Sequence, residues 1–475
     1  MRNQTNKAEA LLSLIRRGEH MTFKQQLELT IRLSIPAVVA QISYIIMQYI
    51  DASMVGSLGA EASASIGLVS TSTWLFWGVC VASATGFSVQ VAHHIGAKEF
   101  GQARAVLRQS FVATTIFSLL LTVIGVLVST PLPAWLGGDV AIQHDASSYF
   151  LIFILFLPVL QLNFLAGGML RCSGNMHVPS MLNVLMCIMD VVFNFFLIYP
   201  SRELEIGNIS VFVPGAGLGV EGAALGTGLA EMLVAIMMTW YLCRCSKELA
   251  LVGRPGSFFL TSKVLIKSFK IGVPMCVEHI VICGAQILTT VIVAPLGIFA
   301  IAANSFAITA ESLCYMPGYG IADAATTLIG QSLGAGRKDL TRSFARITVA
   351  TGMLVMGVMG GVMYWAAPLI IGAMTPDAEI LSLGVMALRI EAFAEPMFAA
   401  AIVAYGVFIG TGDTLMPSIM NFVSIWAVRL SLASCLAPSM GLKGVWLAMC
   451  IELCFRGMIF LIRLEKGKWI KIMML

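Results

Sequence analysis

Two stretches decide the fold: Arg171–Asn183, RCSGNMHVPSMLN, and Ile409–Asn421, IGTGDTLMPSIMN. Gly174, Pro179, Ser180 and Asn183 of the first stand 238 positions before Gly412, Pro417, Ser418 and Asn421 of the second. The same offset of 238 joins Pro36 to Pro274, Leu58–Gly59 to Leu296–Gly297, and the IGAK around Gly96 to the LGAG around Gly334. A fifth pair, GVEGAAL from Gly219 and GLKGVWL from Gly441, is 222 apart, because the connection 200–218 lengthens the first copy by 16 residues. One register held over four anchors marks an internal duplication.

What is duplicated is a membrane unit. Of 475 residues, 58% are hydrophobic and only 11% charged, where soluble chains carry roughly 25% charged residues. Such a surface cannot mostly face water, which argues against a soluble enzyme, a disordered scaffold and a nucleic-acid binder. A transmembrane helix needs about 20 apolar residues. Twelve runs qualify, near 32–54, 62–91, 110–131, 148–171, 178–199, 219–243, 269–294, 299–332, 346–371, 380–410, 416–436 and 443–463. Pro36, Pro158, Pro274, Pro317 and Pro396 fall inside them and are candidate kinks, with Pro36 and Pro274 the expected bending points.

Orientation follows from the basic residues. With the N-terminus in the cytoplasm, 22 of the 29 Lys and Arg fall in cytoplasmic segments and only Arg202 and Lys443 in outer loops. Both termini are therefore expected inside. Each repeat has six spans, an even number, so both halves enter from the same side and are related by an axis along the membrane normal. The expected fold is all-α and integral to the membrane: twelve transmembrane helices in two six-helix bundles with a parallel pseudo-two-fold. The expected division is an N-terminal segment 1–31, an N-lobe 32–243, a linker 244–268, a C-lobe 269–463 and a tail 464–475. No secretory leader is expected, since the first long apolar run starts near Ser34; the basic start reads as an interfacial amphipathic segment.

An acidic or basic group at a helix centre costs roughly 2.5–3.5 kcal/mol on insertion scales, so each needs a task or a partner. The acids are Asp51, Asp190, Glu231, Glu278, Glu311, Asp323, Glu391, Glu395 and Glu452; the cations are Arg389, Arg429 and Arg456. Asp51, Asp190, Glu278, Glu391 and Glu395 align with Thr289, Val428, Ala40, Phe153 and Leu157 in the other repeat. The scaffold repeats and the charges do not, so the lobes divide the chemistry. Asp190 and Asn194 are spaced i, i+4 and share a face of the fifth span. A carboxylate with a carboxamide suits a proton or Na⁺, so Asp51, Asp190 and Asn194 form a candidate coupling site. Two interhelical hydrogen bonds are the simpler alternative. Glu278, one turn after Pro274, is a candidate cation or substrate residue, or the partner of Lys270 or an arginine. Glu391 and Glu395 are also i, i+4, with Arg389 placed to neutralise one; Arg429 is a further C-lobe candidate. Glu452 and Arg456 read as a structural pair, and His279 as packing.

Other signals are weak. The 11 cysteines form no CxxC pair and read as small buried hydrophobes. GAGLGVEG at 215–222 lacks the strand and the GK[ST] of a nucleotide loop, and GAGRKD near Gly334 is no better, so direct use of ATP is not expected. Asn208-Ile209-Ser210 is a glycosylation sequon that matters only in a eukaryotic secretory pathway. Neither a nucleophile–base set nor a His/Cys metal constellation is visible, so no enzyme, cofactor or resident metal is expected.

Seven stretches taken in order resemble the multidrug and toxic compound extrusion (MATE) family. They are Leu33–Leu68, LSIPAVVAQISYIIMQYIDASMVGSLGAEASASIGL; Val89–Ala103, VQVAHHIGAKEFGQA; Met169–Tyr199, MLRCSGNMHVPSMLNVLMCIMDVVFNFFLIY; Ile271–Ile280, IGVPMCVEHI; Thr326–Gly336, TTLIGQSLGAG; Phe408–Ser418, FIGTGDTLMPS; and Met440–Ala448, MGLKGVWLA. The resemblance implies efflux of cationic or amphipathic compounds, driven by inward H⁺ or Na⁺, through a pair of bundles that alternates access. It implies a cation site at Asp51 and Asp190, with Met186 where some members have Asn, and with Asn163 and Thr227 completing the N-lobe set. It also implies a role for Glu278 in the seventh span; Phe398 stands near the position of a tenth-span Asp, for which Glu391 or Glu395 would substitute. The expected partners are organic cations and the lipid bilayer, with the chain a monomer in the plasma membrane, most simply the bacterial inner membrane. A lipid-linked sugar flippase of the same wider superfamily is the alternative.

Overall fold

The computed structural model describes residues 2–206 and 209–470. Asn208 of the sequon and Lys471 of the basic tally lie outside the described residues. A short helix, α1 (Arg2–Arg17), precedes α2 (Phe23–Gly56), α3 (Ala60–Gly96), α4 (Phe100–Ser129) and the single turn α5 (Leu132–Trp135). Then come α6 (Val140–Leu155), α7 (Leu157–Cys172), α8 (His177–Ile198), the strands β1 (Pro200–Ile206) and β2 (Ile209–Ala216), and α9 (Gly219–Arg244). The second half holds α10 (Ser262–Val293), α11 (Ile298–Gly334), α12 (Lys338–Gly372), α13 (Ala378–Glu391), α14 (Glu395–Thr411) and α15 (Leu415–Val423). It closes with a π-helical stretch Ser424–Leu430, α16 (Ser431–Met440) and α17 (Leu442–Lys466).

Among the described residues, ten helical stretches are long and apolar enough to cross a bilayer, and the bent pairs α6–α7 (46°) and α13–α14 (59°), each taken as one span, bring the number to twelve. On α4, Ile116, Leu120, Val123 and Leu127 form an exposed stripe; on α12, Leu354, Val358, Val362 and Leu369 do the same. These i, i+3/i+4 stripes are the lipid-facing sides of the two bundles.

The duplication is visible in the backbone. Both bent pairs open on an aspartate cap 238 residues apart: Asp139 accepts from Ala141 N (3.0 Å), and Asp377 from Glu379 N (2.9 Å) and Ile380 N (3.0 Å). Both break just before a proline in the first turn of the following helix, Pro158 in α7 and Pro396 in α14. Proline suits a first turn, where its missing N–H costs nothing. Pro36 and Pro274, the expected bending points, lie inside α2 and α10. The lobes meet through exchanged pairs, α2 on α11 and α3 on α10. At their crossing two repeat-equivalent glycines are reciprocal. A Cβ on Gly96 would stand 2.2 Å from the Gln331 carbonyl oxygen, and one on Gly334 would stand 2.1 Å from that of His93.

Two expectations need correction. The connection 200–218 is not a plain loop: β1 and β2 pair antiparallel, so the fold is all-α only within the membrane. Its ISVFVP run is β-branched and aromatic, which favours a strand where no bilayer forces a helix. The N-terminal segment is amphipathic, but it does not lie in the lipid interface. α1 buries Ala8, Leu12 and Ile15 in one core cluster with Met176 of the N-lobe, Leu328 and Phe344 of the C-lobe, and Trp469. A protein cleft removes more apolar surface from water than the interface would.

Candidate functional site

In the N-lobe, α8 presents Asp190 and Asn194, both 0% exposed, on one face. The Asn194 amide Nδ2 donates to Asp190 Oδ2 (3.2 Å) and across to Asp51 Oδ1 on α2 (2.9 Å). Thr227 of α9 spends its hydroxyl on its own helix, donating to the Ala223 carbonyl (3.2 Å). α9 comes close to α8 because position 226 is glycine: a Cβ there would stand 2.0 Å from Asn194 Oδ1. Among the described residues no Lys or Arg pairs with either aspartate, and Asp190 Oδ1 and Asn194 Oδ1 are buried without a donor. Two carboxyls this close, bridged by one amide, hold a single shared cation or proton better than two bare charges. Asn163 does not join this set directly. Its Nδ2 donates to Glu231 Oε2 (2.5 Å) and faces the Met186 sulfur (3.9 Å), one helical turn deeper in the lobe.

In the C-lobe, Glu278 has neither Lys270 nor an arginine as a direct partner. It accepts from Ser418 Oγ (2.7 Å), from Asn421 Nδ2 (2.5 Å) and from the Tyr405 hydroxyl. Ser418 and Asn421 belong to the PSIMN anchor of the repeat. The same pair exists in the N-lobe as Ser180 and Asn183, where Ala40 stands in place of the acid. The repeat register contained that clue; Tyr405 carried no sequence signal.

Glu391 and Glu395 are fully buried, and none of their four carboxylate oxygens has a hydrogen-bond partner among the described residues. Arg389 does not neutralise them; it donates to the Tyr364 carbonyl (3.4 Å) and lies 5.3 Å from that ring's centre. Arg429 is not a free lumen cation. It binds Glu452 (2.7 and 3.0 Å), as does Arg456 (2.8 and 2.9 Å), while Ser424 donates to the same acid (2.5 Å). The expected Glu452–Arg456 pair is thus a four-member group, and the π-helical stretch carries both added members, Ser424 and Arg429. His279 packs against Gly78 across the seam, where a Cβ would meet its ring at 2.5 Å.

At the end bearing both described termini, the lobes are tied by side-chain to backbone bonds. Thr327 Oγ1 donates to Arg171 O (3.0 Å), Gln331 Nε2 to Cys172 O (2.9 Å), and His93 Nε2 meets Gly410 O (2.8 Å). Asp323 lies 3.9 Å from Arg171. Arg16 of α1 reaches Glu248 (2.8 Å), Ser173 O (3.1 Å) and Gln331 Oε1 (3.3 Å), touching the linker and both lobes at once. Beside it, Glu9 bonds Lys247 (2.5 Å) and holds that ammonium above the ordinary lysine value. Toward the other end, Tyr49 Oη donates to Thr309 O (2.8 Å).

The MatE family model matches the chain twice, over residues 36–196 and 274–434, again 238 residues apart. A protein of Thermotoga maritima named Probable multidrug resistance protein NorM is 24% identical over 443 residues, covering 93% of this chain and 92% of its own. Multidrug resistance protein MdtK of Yersinia enterocolitica is 24% identical over 448 residues, with 91% and 94% covered. The crystal structure of a MATE protein in complex with MaL6 superposes with a TM-score of 0.86 at 18% identity, over 96% of this chain and 99% of that one. A Vibrio cholerae MATE transporter superposes with a TM-score of 0.84 at 17% identity, over 97% and 98%. With two matched repeats that cover the first five spans of each lobe, the chain belongs to the MatE family of membrane transporters.

Proposed function

We propose that the chain is a secondary antiporter that exports organic cations or amphipathic drugs in exchange for inward protons. The relatives' names, multidrug resistance proteins, support the substrate class. The carrying observation for the ion is the buried Asp51–Asn194–Asp190 bridge. There the amide turns its N–H side to both carboxyls, the place a coordinated Na⁺ would need for oxygen ligands. Proton uptake by the pair relieves the repulsion between its carboxyls, and helix repacking around α2 then releases the drug. A flippase for phosphate-linked sugars asks for free lumen cations, whereas Arg429 and Arg456 are both spent on Glu452. By the excess of basic residues, we place the end with both termini in the cytoplasm of a bacterial cell and the carrier in its inner membrane. A 100 mV potential adds about 2.3 kcal/mol per charge moved, roughly 50-fold in concentration.

The test is ethidium efflux from reconstituted vesicles under an imposed pH or Na⁺ gradient, for wild type and Asp51→Asn. Efflux driven by the pH gradient and lost in the variant is the expected result. Drive by Na⁺ alone would overturn the proton assignment and turn Asn194 into an oxygen ligand.

A further inference from the structure

The N-lobe polar residues form two layers. α2 runs away from the basic end and presents Tyr44, Gln48 and Asp51 along one face; α8 presents Met186, Asp190 and Asn194; α9, running back, presents Thr227 and then Glu231. Every helix therefore agrees on the order. Asp51, Asp190, Asn194 and Thr227 make the outer layer. Glu231, Asn163, Met186 and Tyr44 lie about one turn deeper toward the basic end.

Glu231 sits differently from the acids above it. Its Oε2 is fixed by Asn163 (2.5 Å). Its Oε1 has no donor among the described residues, and it is not among the buried unpartnered atoms. The side chain is half-buried, and no Lys or Arg pairs with it among the described ion pairs. Beside it stand the Met186 sulfur, which Asn163 also faces, and Tyr44 of α2, packed against the same apolar cluster as Met186. If α7 and α9 needed only an interhelical hydrogen bond, a glutamine would serve at lower cost in the membrane. A carboxylate aimed by an amide, with one oxygen accessible and a polarizable wall beside it, is built to face a cation that comes and goes.

We propose that Glu231 is the anionic anchor for the exported organic cation, seated one turn below the Asp51–Asp190 pair. Asn163 acts as its positioning residue. This rests on the drug-export reading above and deepens it. The outer layer binds the coupling ion, the deeper layer binds the cargo, and the shared helices α8 and α9 let occupancy of one layer shift the other.

The test is binding to the purified full chain in detergent, using two probes of similar shape: the tetraphenylphosphonium cation and neutral triphenylphosphine oxide. Glu231→Gln should weaken tetraphenylphosphonium binding about tenfold and the neutral probe less than about twofold. Glu231→Asp keeps the charge and should retain most of the affinity. In the wild-type chain, tetraphenylphosphonium should also protect Glu231 from carbodiimide modification, read by peptide mass spectrometry, which requires no variant to fold. Wild-type cation affinity in Glu231→Gln, equal loss of both probes, or unprotected Glu231 each overturns the proposal. Should the wild type neither bind nor export either probe, the drug-export reading falls as well. Should Glu231→Gln bind the cation normally but lose pH-driven transport, Glu231 is a coupling residue instead.

Discussion

At the residue scale, what distinguishes one buried acid from the next is its donors. Glu452 is ionic because two guanidiniums and a hydroxyl hold it. Glu452→Gln leaves Arg429 and Arg456 without their acid and should cost about 3–5 kcal/mol, read as a lowered thermal midpoint in detergent. Glu391 has no donor among the described residues. Glu391→Gln should therefore change stability by less than about 1 kcal/mol, or raise it; a large loss would mean that the acid has an ionic partner in the working protein. Gly226→Ala brings a methyl to 2.0 Å from Asn194 Oδ1. Overpacking of this kind costs about 1–3 kcal/mol. Because the displaced amide is the bridge, gradient-driven efflux should fall far more than folded yield. A variant with full efflux would show that the bridge is dispensable.

At the element scale, α1 behaves as a wedge. It is short and polar on one side, yet Leu12 and Ile15 are buried against both lobes and Arg16 ties them to the linker. Deleting residues 2–17 should loosen the end bearing the termini. Cys172 lies in that seam, 5% exposed, with its carbonyl bonded by Gln331. Its labelling by a thiol reagent, followed at the peptide level, should rise several-fold in the deletion and in Arg16→Ala. Unchanged labelling would make α1 an ornament on a seam that closes without it. The broken spans α6–α7 and α13–α14 matter at this scale too, since the second break sets Glu391 and Glu395 on either side of a 59° bend.

Over the whole molecule, the two-fold shows itself in contacts. Gly96 meets Gln331 and Gly334 meets His93, and each pair is the other's repeat image. Gly96→Ala and Gly334→Ala should therefore weaken closure by similar amounts, about 1–3 kcal/mol each, and raise Cys172 labelling alike. A strong effect from one and none from the other would break the reciprocity. The symmetry stops at the charges. Glu278 uses the repeat's Ser418 and Asn421 as donors, while the equivalent Ser180 and Asn183 have Ala40 at the repeat position of the acid. A duplicated frame with unlike fillings is what lets one lobe carry the Asp51–Asp190 pair and the other a separate acid.

The sequence by itself determined the twelve spans, their pairing into two like halves and the set of acids that need explaining. The bilayer leaves no choice about those: an apolar run of about 20 residues must be a helix, and a charge within it is conspicuous. The i, i+4 spacing of Asp190 and Asn194 even placed them on one face. It did not say what that face meets. Asn194 reaches Asp51 from 143 positions away, Arg429 reaches Glu452, and Asn163 reaches Glu231 instead of the aspartates. Periodicity determines which side of a helix a residue occupies, but its partner depends on how neighbouring helices are rotated and how closely their small residues allow them to pack. The same holds for α1 and the β1–β2 hairpin, which lie outside the bilayer, where local pattern is weaker and burial against the rest of the protein decides.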